Sequence, residues 1–444
     1  MEQNLTKGSV FKNIVIFSLP FMMSYFLQTL YGLADLFIIG QFCGTESTTA
    51  VSIGSQAMHM LTVMIVGLAM GATVLIGKSV GSGDAALKNK AIGNTVSLFG
   101  IVSVALTAGL LLLAMPIVQL LATPEEAVDG TYIYLMVCFA GIPFITAYNV
   151  ISAVLRGMGD SKSPMYFVGI ACVCNIGLDY LFIGVCGLGA MGAALGTTLA
   201  QTISVALALW WLLKGAEHSA LTRSDFHLQK KVVGDIVKVG LPVAAQDGFI
   251  QISFLLITIF ANMRGLSDAA AVGVVEKLIG ILFLVPSSLL SSVSALCAQN
   301  IGAGFHERAR KTMWYALAIS ASVGCFFAVL FQFIAPYAVD VFVDDPQVVL
   351  LGAQYMRSYV WDCILAGTHF IFSGFFCAYS KSGISFFHNL VSIVLARIPL
   401  AYLASVNFPG NLYPMGWAAP IGSSISIVIC VIFYVRMRRH TEMK

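Results

Sequence analysis

Five acidic residues of this chain stand inside long apolar runs: Asp35, Asp179, Asp247, Glu276 and Asp362. A charge at the centre of a membrane helix costs about 2.5–3.5 kcal/mol on insertion scales, so such groups usually face a cavity or a partner and mark ion or substrate pathways. Asn175 and Asp179 are four residues apart and share one face of a helix. Together they offer an amide and a carboxylate to a proton or a small cation. Two carboxylates close together in apolar surroundings do not readily both ionise, which is the chemistry expected if Asp35 meets Asp179. Plainer readings stand beside this one: Asp35 as an interfacial residue near a span end, Asp179 as a structural hydrogen-bonding group. Glu276 adjoins Lys277, so the two point to different helix faces and each can pair with another span. Asp247 follows Pro242 by about one and a half helical turns, and Asp362 has Arg357 and Arg397 as candidate partners. His59, His369 and His388 read as lone, structural histidines.

Other chemistries find little support. Cys172-x-Cys174 is not a C-x-x-C motif, and no Cys/His grouping has zinc spacing. Gly187-x-Gly189-x-x-Gly192 has dinucleotide-loop spacing, but it joins two apolar runs rather than a strand and a helix. No G-x-x-x-x-G-K-[ST] occurs, so ATP does not drive this chain directly and no cofactor is expected. A membrane enzyme would need a dense cluster of His, Asp or Ser near one interface, which the sequence does not offer.

Membrane helices must carry the acids. Of 444 residues, 58% are hydrophobic and 10% charged, and the mean hydropathy is +0.89. Soluble chains carry about 25% charged residues. This composition excludes a soluble, disordered, disulfide-scaffold or nucleic-acid-binding protein, and a net charge of +3 implies no polyanionic partner. Twelve apolar runs lie near 12–39, 47–76, 90–114, 127–155, 164–184, 190–213, 234–262, 269–298, 310–334, 346–376, 384–405 and 415–436. The first is too long for a signal peptide and long enough to span a bilayer. Pro20, Pro143, Pro242, Pro286 and Pro399 fall inside runs and are expected to kink them. With the N-terminus and the even-numbered turns placed in the cytoplasm, 20 of the 24 Lys and Arg fall there, and the opposite side holds only Arg264. The positive-inside rule then puts both termini in the cytoplasm. Asp35 and Asp179 fall at similar depth toward the outer side.

The two halves repeat. Ser18-Leu19-Pro20 returns as Gly240-Leu241-Pro242, Gly81-Ser82-Gly83 as Gly302-Ala303-Gly304, and Thr123-Pro124-Glu125 as Asp345-Pro346-Gln347, at offsets near 222. Tyr134-Leu135 returns as Tyr355-Met356, Ser161-Lys162-Ser163 as Ser380-Lys381-Ser382 and Met191-Gly192 as Met415-Gly416, in the same order. An all-α polytopic membrane protein follows, with twelve transmembrane helices in two six-helix lobes related by a pseudo-two-fold along the membrane normal. Residues 1–213 form the expected N-lobe, 214–233 a cytoplasmic linker and 234–444 the C-lobe. Thr123 and Asp345 are expected to cap helices that start at a proline. Gly67-x-x-x-Gly71, Gly77-x-x-x-Gly81 and Gly192-x-x-x-Gly196 suit close helix packing.

These residues resemble the multidrug and toxic compound extrusion (MATE) family. The resemblance is carried by Ser18-Leu19-Pro20, Tyr31-Gly-Leu-Ala-Asp35, Leu155-Arg156-Gly157-Met158-Gly159-Asp160, Asn175-x-x-Leu178-Asp179, Gly192-Ala193-Ala194-x-Gly196-Thr197 and Gln299-Asn300-Ile301-Gly302-Ala303-Gly304. The DinF-type bacterial branch is the nearest match. The resemblance implies a proton or Na⁺ site of Asp35, Asn175, Asp179 and Thr197, with Tyr134 beside it and Pro20 as the point where span 1 bends. Asp247 departs from the pattern on span 7, which leaves Asp247, Glu276 and Asp362 as second-lobe or substrate candidates. The implied activity is antiport of amphipathic organic cations against H⁺ or Na⁺, by a monomer in the cytoplasmic membrane of a bacterium. A flippase for lipid-linked precursors, from the same wider superfamily, is the alternative; it would carry two more spans and a cation-lined cavity.

Overall fold

The computed structural model describes residues 4–214 and 221–439. Residues 215–220 of the expected linker, Glu217 among them, and Lys444 among the counted cations lie outside the described residues. Backbone polar groups have no water partner in hydrocarbon, so a spanning segment must close its hydrogen bonds on itself. Among the described residues every regular element is accordingly helical. Among the described residues ten helices are long and apolar enough to cross a bilayer, and the number reaches twelve when each of two bent pairs is taken as one span. Each overlaps one of the twelve apolar runs.

In the first half α1 (Val10–Phe42), α2 (Thr45–Ser82) and α3 (Ala85–Leu112) are followed by the short α4 (Ala114–Leu120). Next come α5 (Glu125–Ala140) and α6 (Ile142–Gly157), which form one span bent by 49°. Then α7 (Lys162–Asp179) runs into a π-helical turn (Tyr180–Val185), and α8 (Gly189–Lys214) closes the half. A short 3₁₀ turn (Arg223–Phe226) leads to the second half. There α9 (Lys230–Asn262) is followed by α10 (Leu266–Leu282) and α11 (Leu284–Gly302), which share a span, and by α12 (His306–Asp340). The pair α13 (Pro346–Tyr359) and α14 (Asp362–Ala378) is bent by 42°. The half ends with α15 (Ser382–Ser392), a π-helical turn (Ile393–Arg397), α16 (Ile398–Asn407), α17 (Tyr413–Gly416) and α18 (Ala418–Arg439). Large apolar side chains such as Phe37, Val173 and Phe333 are exposed, as hydrocarbon allows and water does not.

The prolines act unequally. Pro143, Pro286 and Pro399 stand in the first turns of α6, α11 and α16, where a new helix begins. Pro20 and Pro242, expected to kink their spans, lie inside unbroken α1 and α9, and Pro336 lies inside α12. The break between Tyr359 and Asp362 contains no proline at all, so the proline pattern did not foretell it. The two expected caps also part. Asp345 accepts from Gln347 N at 2.8 Å with Pro346 in the first turn. Thr123 instead donates to Val118 O at 2.9 Å, and Pro124 takes the cap position without a side-chain bond. Gly83 and Gly304 end their helices at φ +71° and +77°, left-handed conformations that glycine adopts without steric cost.

Two compact units emerge, one built on Met23–Gly240, the other on Leu5–Met22 with Leu241–Lys444. This division differs from the expected lobes of 1–213 and 234–444. It passes through α1 and α9 close to the repeat-related Pro20 and Pro242. The reason lies in local contacts. In the first unit Gly71 on α2 and Gly240 on α9 leave no room for a Cβ against the Ile236 and Leu68 carbonyls, so the start of α9 is seated on α2. In the second unit Arg308 donates to the carbonyls of Lys7 and Gly8 at 2.9 Å, and Leu5 N donates to Gln299 Oε1 at 3.1 Å. The first core gathers Ile38, Val51, Leu135 and Phe139; the second gathers Val272, Tyr355, Tyr359 and Leu412.

The described end of the linker is docked on α3. Asn94 donates to Asp225 O at 3.0 Å and accepts from Gln229 N at 2.6 Å, while Ser97 donates to Phe226 O at 2.7 Å. Bonds from the Thr222 backbone N–H and hydroxyl, both 2.8 Å, hold the Asp225 carboxyl below the usual carboxylate range. A carboxyl with a lowered folded pKa contributes stability that is present above its unfolded pKa and lost as pH falls through the folded one. Asp225→Asn is therefore expected to lower the melting temperature at neutral pH. The gap from the parent should narrow when melting is measured below about pH 4; a gap constant with pH would refute this account.

Candidate functional site

The first unit brings the predicted residues together. Asp35 on α1 is 4% exposed, Asn175 near the end of α7 1%, and Asp179 at its last position 0%. Thr197 on α8 donates its hydroxyl to Asp35 Oδ2 at 3.2 Å. Asp35 and Asp179 act on each other's charge, and Asn175 adjoins Asp35. With both carboxylates ionised, five polar atoms of this cluster are buried without a hydrogen-bond partner among the described residues. They are Asp35 Oδ1, both side-chain atoms of the Asn175 amide, and both Asp179 oxygens. An unmade buried hydrogen bond costs about 1–3 kcal/mol, and more for a charged group. The arrangement therefore suits a ligand that supplies charge or donors to oxygen. A proton does so on a carboxylate. A hard monovalent cation such as Na⁺ does so through the Asp35, Asp179, Asn175 and Thr197 oxygens, which are the donor type hard cations take.

Three local features build this cluster. Gly196 on α8 is one: a Cβ there would overlap Asp179 Oδ1, so the carboxylate occupies the space that glycine leaves. The spacing Gly192-x-x-x-Gly196 reads as helix packing; in the fold one of its glycines seats the acid. The π-helical turn after Asp179 is the second, a distortion frequent at functional sites. The third is Tyr134, buried on α5 and within electrostatic reach of Asp35; its ring fills the place of a Cβ at Gly54. Tyr31 also faces Asp35 and interacts with Gln201. Its position one turn before Asp35 puts the two on one face of α1. Pro20, expected to bend span 1, lies fifteen residues before Asp35 on α1 and belongs to the other unit.

The second unit holds a different centre. Arg397, at the end of the second π-helical turn, donates from Nη2 to Tyr359 OH at 2.9 Å and lies 4.4 Å over the Phe254 ring. Glu276 accepts from Thr258 at 3.4 Å. Glu276 and Asp362 both act electrostatically on Arg397, although neither makes an ion pair with it. Glu276 Oε1, Asp362 Oδ1 and Arg397 Nε are buried without partners. Of the two arginines considered for Asp362, Arg357 is taken by Gln332 O at 3.0 Å, which leaves Arg397. Lys277 is exposed and turned away from Glu276. Asp247 stands apart, with Cys377 as its neighbour. His369 and His388, read singly as lone histidines, have ring centroids 5.4 Å apart. Ser423 and Ser373 hold their Nε2 atoms at 3.4 and 3.0 Å.

The family model MatE matches this chain twice, over residues 20–181 and 242–403, the second match beginning 222 residues after the first. The probable multidrug resistance protein YpnP of Bacillus subtilis (strain 168) is 29% identical, covering 99% of this chain and 98% of its own. The multidrug export protein MepA of Staphylococcus aureus (strain bovine RF122 / ET3-1) is 24% identical over 97% of this chain and 95% of its own. A solved structure described as the outward-facing conformation of a multidrug resistance MATE family transporter of the MOP superfamily superposes with a TM-score of 0.91. It shares 22% identity and covers 99% of this chain and 98% of its own.

The overlap at Gly196 can be tested directly. Gly196→Ala should destabilise the purified protein by about 1–3 kcal/mol, as overpacking does. Gly273→Ala, whose Cβ meets nothing within 4 Å in the interior of α10, should leave the melting temperature unchanged or raise it, since alanine is the better helix former. Equal melting of the two variants would count against the seating of Asp179.

Proposed function

The chain belongs to the MatE family, and we propose that it is a secondary active multidrug antiporter that exports amphipathic organic cations in exchange for H⁺, or for Na⁺ at the same oxygens. It is a multi-pass membrane transporter and not an enzyme, and its relatives carry multidrug resistance and multidrug export in their names. The antiport reading rests on one observation: Asp35, Asn175 and Asp179 are buried together with five polar atoms unpartnered. Such a cluster favours a transient cation. The same residue set supports placement in the DinF-type branch.

In this reading Asp35 and Asp179 take the ion and Asn175 and Thr197 orient it. Tyr134 closes the cluster on one side. Ion uptake neutralises the carboxylates, favours bending of α1 at Pro20 and biases the two lobes toward the inward-open state. Release on the cytoplasmic side, where both termini lie, resets the cycle. One charge moved through 100 mV supplies about 2.3 kcal/mol. Glu276, Asp362 and Asp247 of the second unit are the acids available to a cationic substrate. We assign the chain to the bacterial cytoplasmic membrane as a monomer.

Two measurements test this. Asp179→Asn should abolish drug resistance in an efflux-deficient bacterium without lowering the amount of protein in the membrane; full resistance would remove Asp179 from coupling. Reconstituted into liposomes, the protein should export an organic cation when given a pH gradient alone. Export driven by a Na⁺ gradient with no pH gradient would assign Na⁺ instead.

A further inference from the structure

The second unit contains a cavity of about 920 Å³ walled by the N-terminal segment Thr6–Phe11, the start of α12 and the end of α18. Its volume is at the upper end of the roughly 300–1,000 Å³ of small-ligand sites. Four cations line it, Arg308, Arg310, Lys311 and Arg438, against one acid, Glu307. Arg308 is committed to the Lys7 and Gly8 carbonyls, and Arg310 is 3.6 Å from Glu307. Lys311 and Arg438 are exposed and have no ion-pair partner among the described residues. Phe11 and Tyr315, with centroids 6.2 Å apart, meet at the same cavity. From Phe11 an apolar stripe continues one and two turns along α1 through Val15 and Leu19, which are 51%, 39% and 55% exposed in that order. Trp314, next to Tyr315, is 54% exposed.

We propose that this cavity binds an anionic phospholipid of the cytoplasmic leaflet. Lys311, Arg438 and the part of Arg310 that Glu307 leaves open take the phosphate and headgroup, and an acyl chain lies along Phe11, Val15 and Leu19. Topology accounts for cations on this face. It does not account for cations of two separate helices sharing one cavity with a ring pair and an exposed apolar track. A soluble anion would use the charges and leave the track uncovered. Exposed aromatics beside a basic cluster mark the headgroup level, where each Lys or Arg adds attraction to anionic lipid. Because Arg308 ties the wall Leu5–Gly8 to α12, lipid in the cavity also steadies that segment.

The purified full chain in detergent is titrated with dioctanoyl phosphatidylglycerol, dioctanoyl phosphatidylcholine or inorganic phosphate, and followed by native mass spectrometry and melting temperature. Phosphatidylglycerol should be retained and should raise the melting temperature, while phosphatidylcholine should do neither. The Lys311→Gln/Arg438→Gln double variant should weaken phosphatidylglycerol binding on the order of tenfold or more, as loss of two headgroup charges implies. Lys230→Gln/Lys231→Gln should bind as the parent does. If the double variant melts early without lipid, Lys311→Arg/Arg438→Lys, which keeps both charges, should bind normally, and loss of binding there overturns the assignment. Equal retention of the two lipids, or binding undiminished in the double variant, overturns it as well. Displacement by inorganic phosphate at equal concentration would make this a site for free anions and not for lipid.

Discussion

An unpartnered polar atom in a low-dielectric interior is expensive, and the fold of the first unit is arranged around tolerating five of them at one point. Asp35, Asn175 and Asp179 are removed from water together, and the Thr197 hydroxyl donates to Asp35 Oδ2 at 3.2 Å. A structural cluster would be expected to close its hydrogen bonds. This one is held open by geometry: glycine at position 196 gives the Asp179 carboxylate its space, and the π-helical turn follows at once.

The second unit repeats the element order and answers burial differently. At its polar centre stands a guanidinium, fixed by Tyr359 and stacked on Phe254, with two acids in electrostatic range. A planar, permanently charged group on an aromatic face is a fixed positive charge, whereas paired carboxylates are a variable negative one. Two copies of one architecture thus carry unlike electrostatics.

Much of this was legible in advance, and the reasons are specific. Membrane helices announce themselves because hydrocarbon admits only long apolar runs, so all twelve spans were readable within a few residues. Asn175 and Asp179 were readable as a pair because i and i+4 share a helix face. The repeat at offset 222 reappears in the double family match. Hidden were the features that depend on side chains meeting across helices. The proline pattern pointed to no bend at Tyr359–Asp362. Nothing in the spacing of His369 and His388 announced that their rings would approach to 5.4 Å. The division of units inside α1 and α9 was hidden for the same reason, since an unbroken helix gives no sign of which neighbour each end will choose.

By itself, then, the sequence determined that this chain lives in a bilayer, crosses it twelve times, repeats after six spans and sets five acids inside apolar runs. One-dimensional quantities decide all of that: hydropathy, charge counts and spacing. Only the tertiary structure decided which acids share a site, that Gly196 seats Asp179, and that Arg397 opposes Glu276 and Asp362. It also decided that Arg438 joins Arg308, Arg310 and Lys311, which are distant from it in the chain, at one cavity. Those outcomes rest on close approach between residues distant in sequence, and close approach is set by the packing of whole helices, which no local pattern encodes.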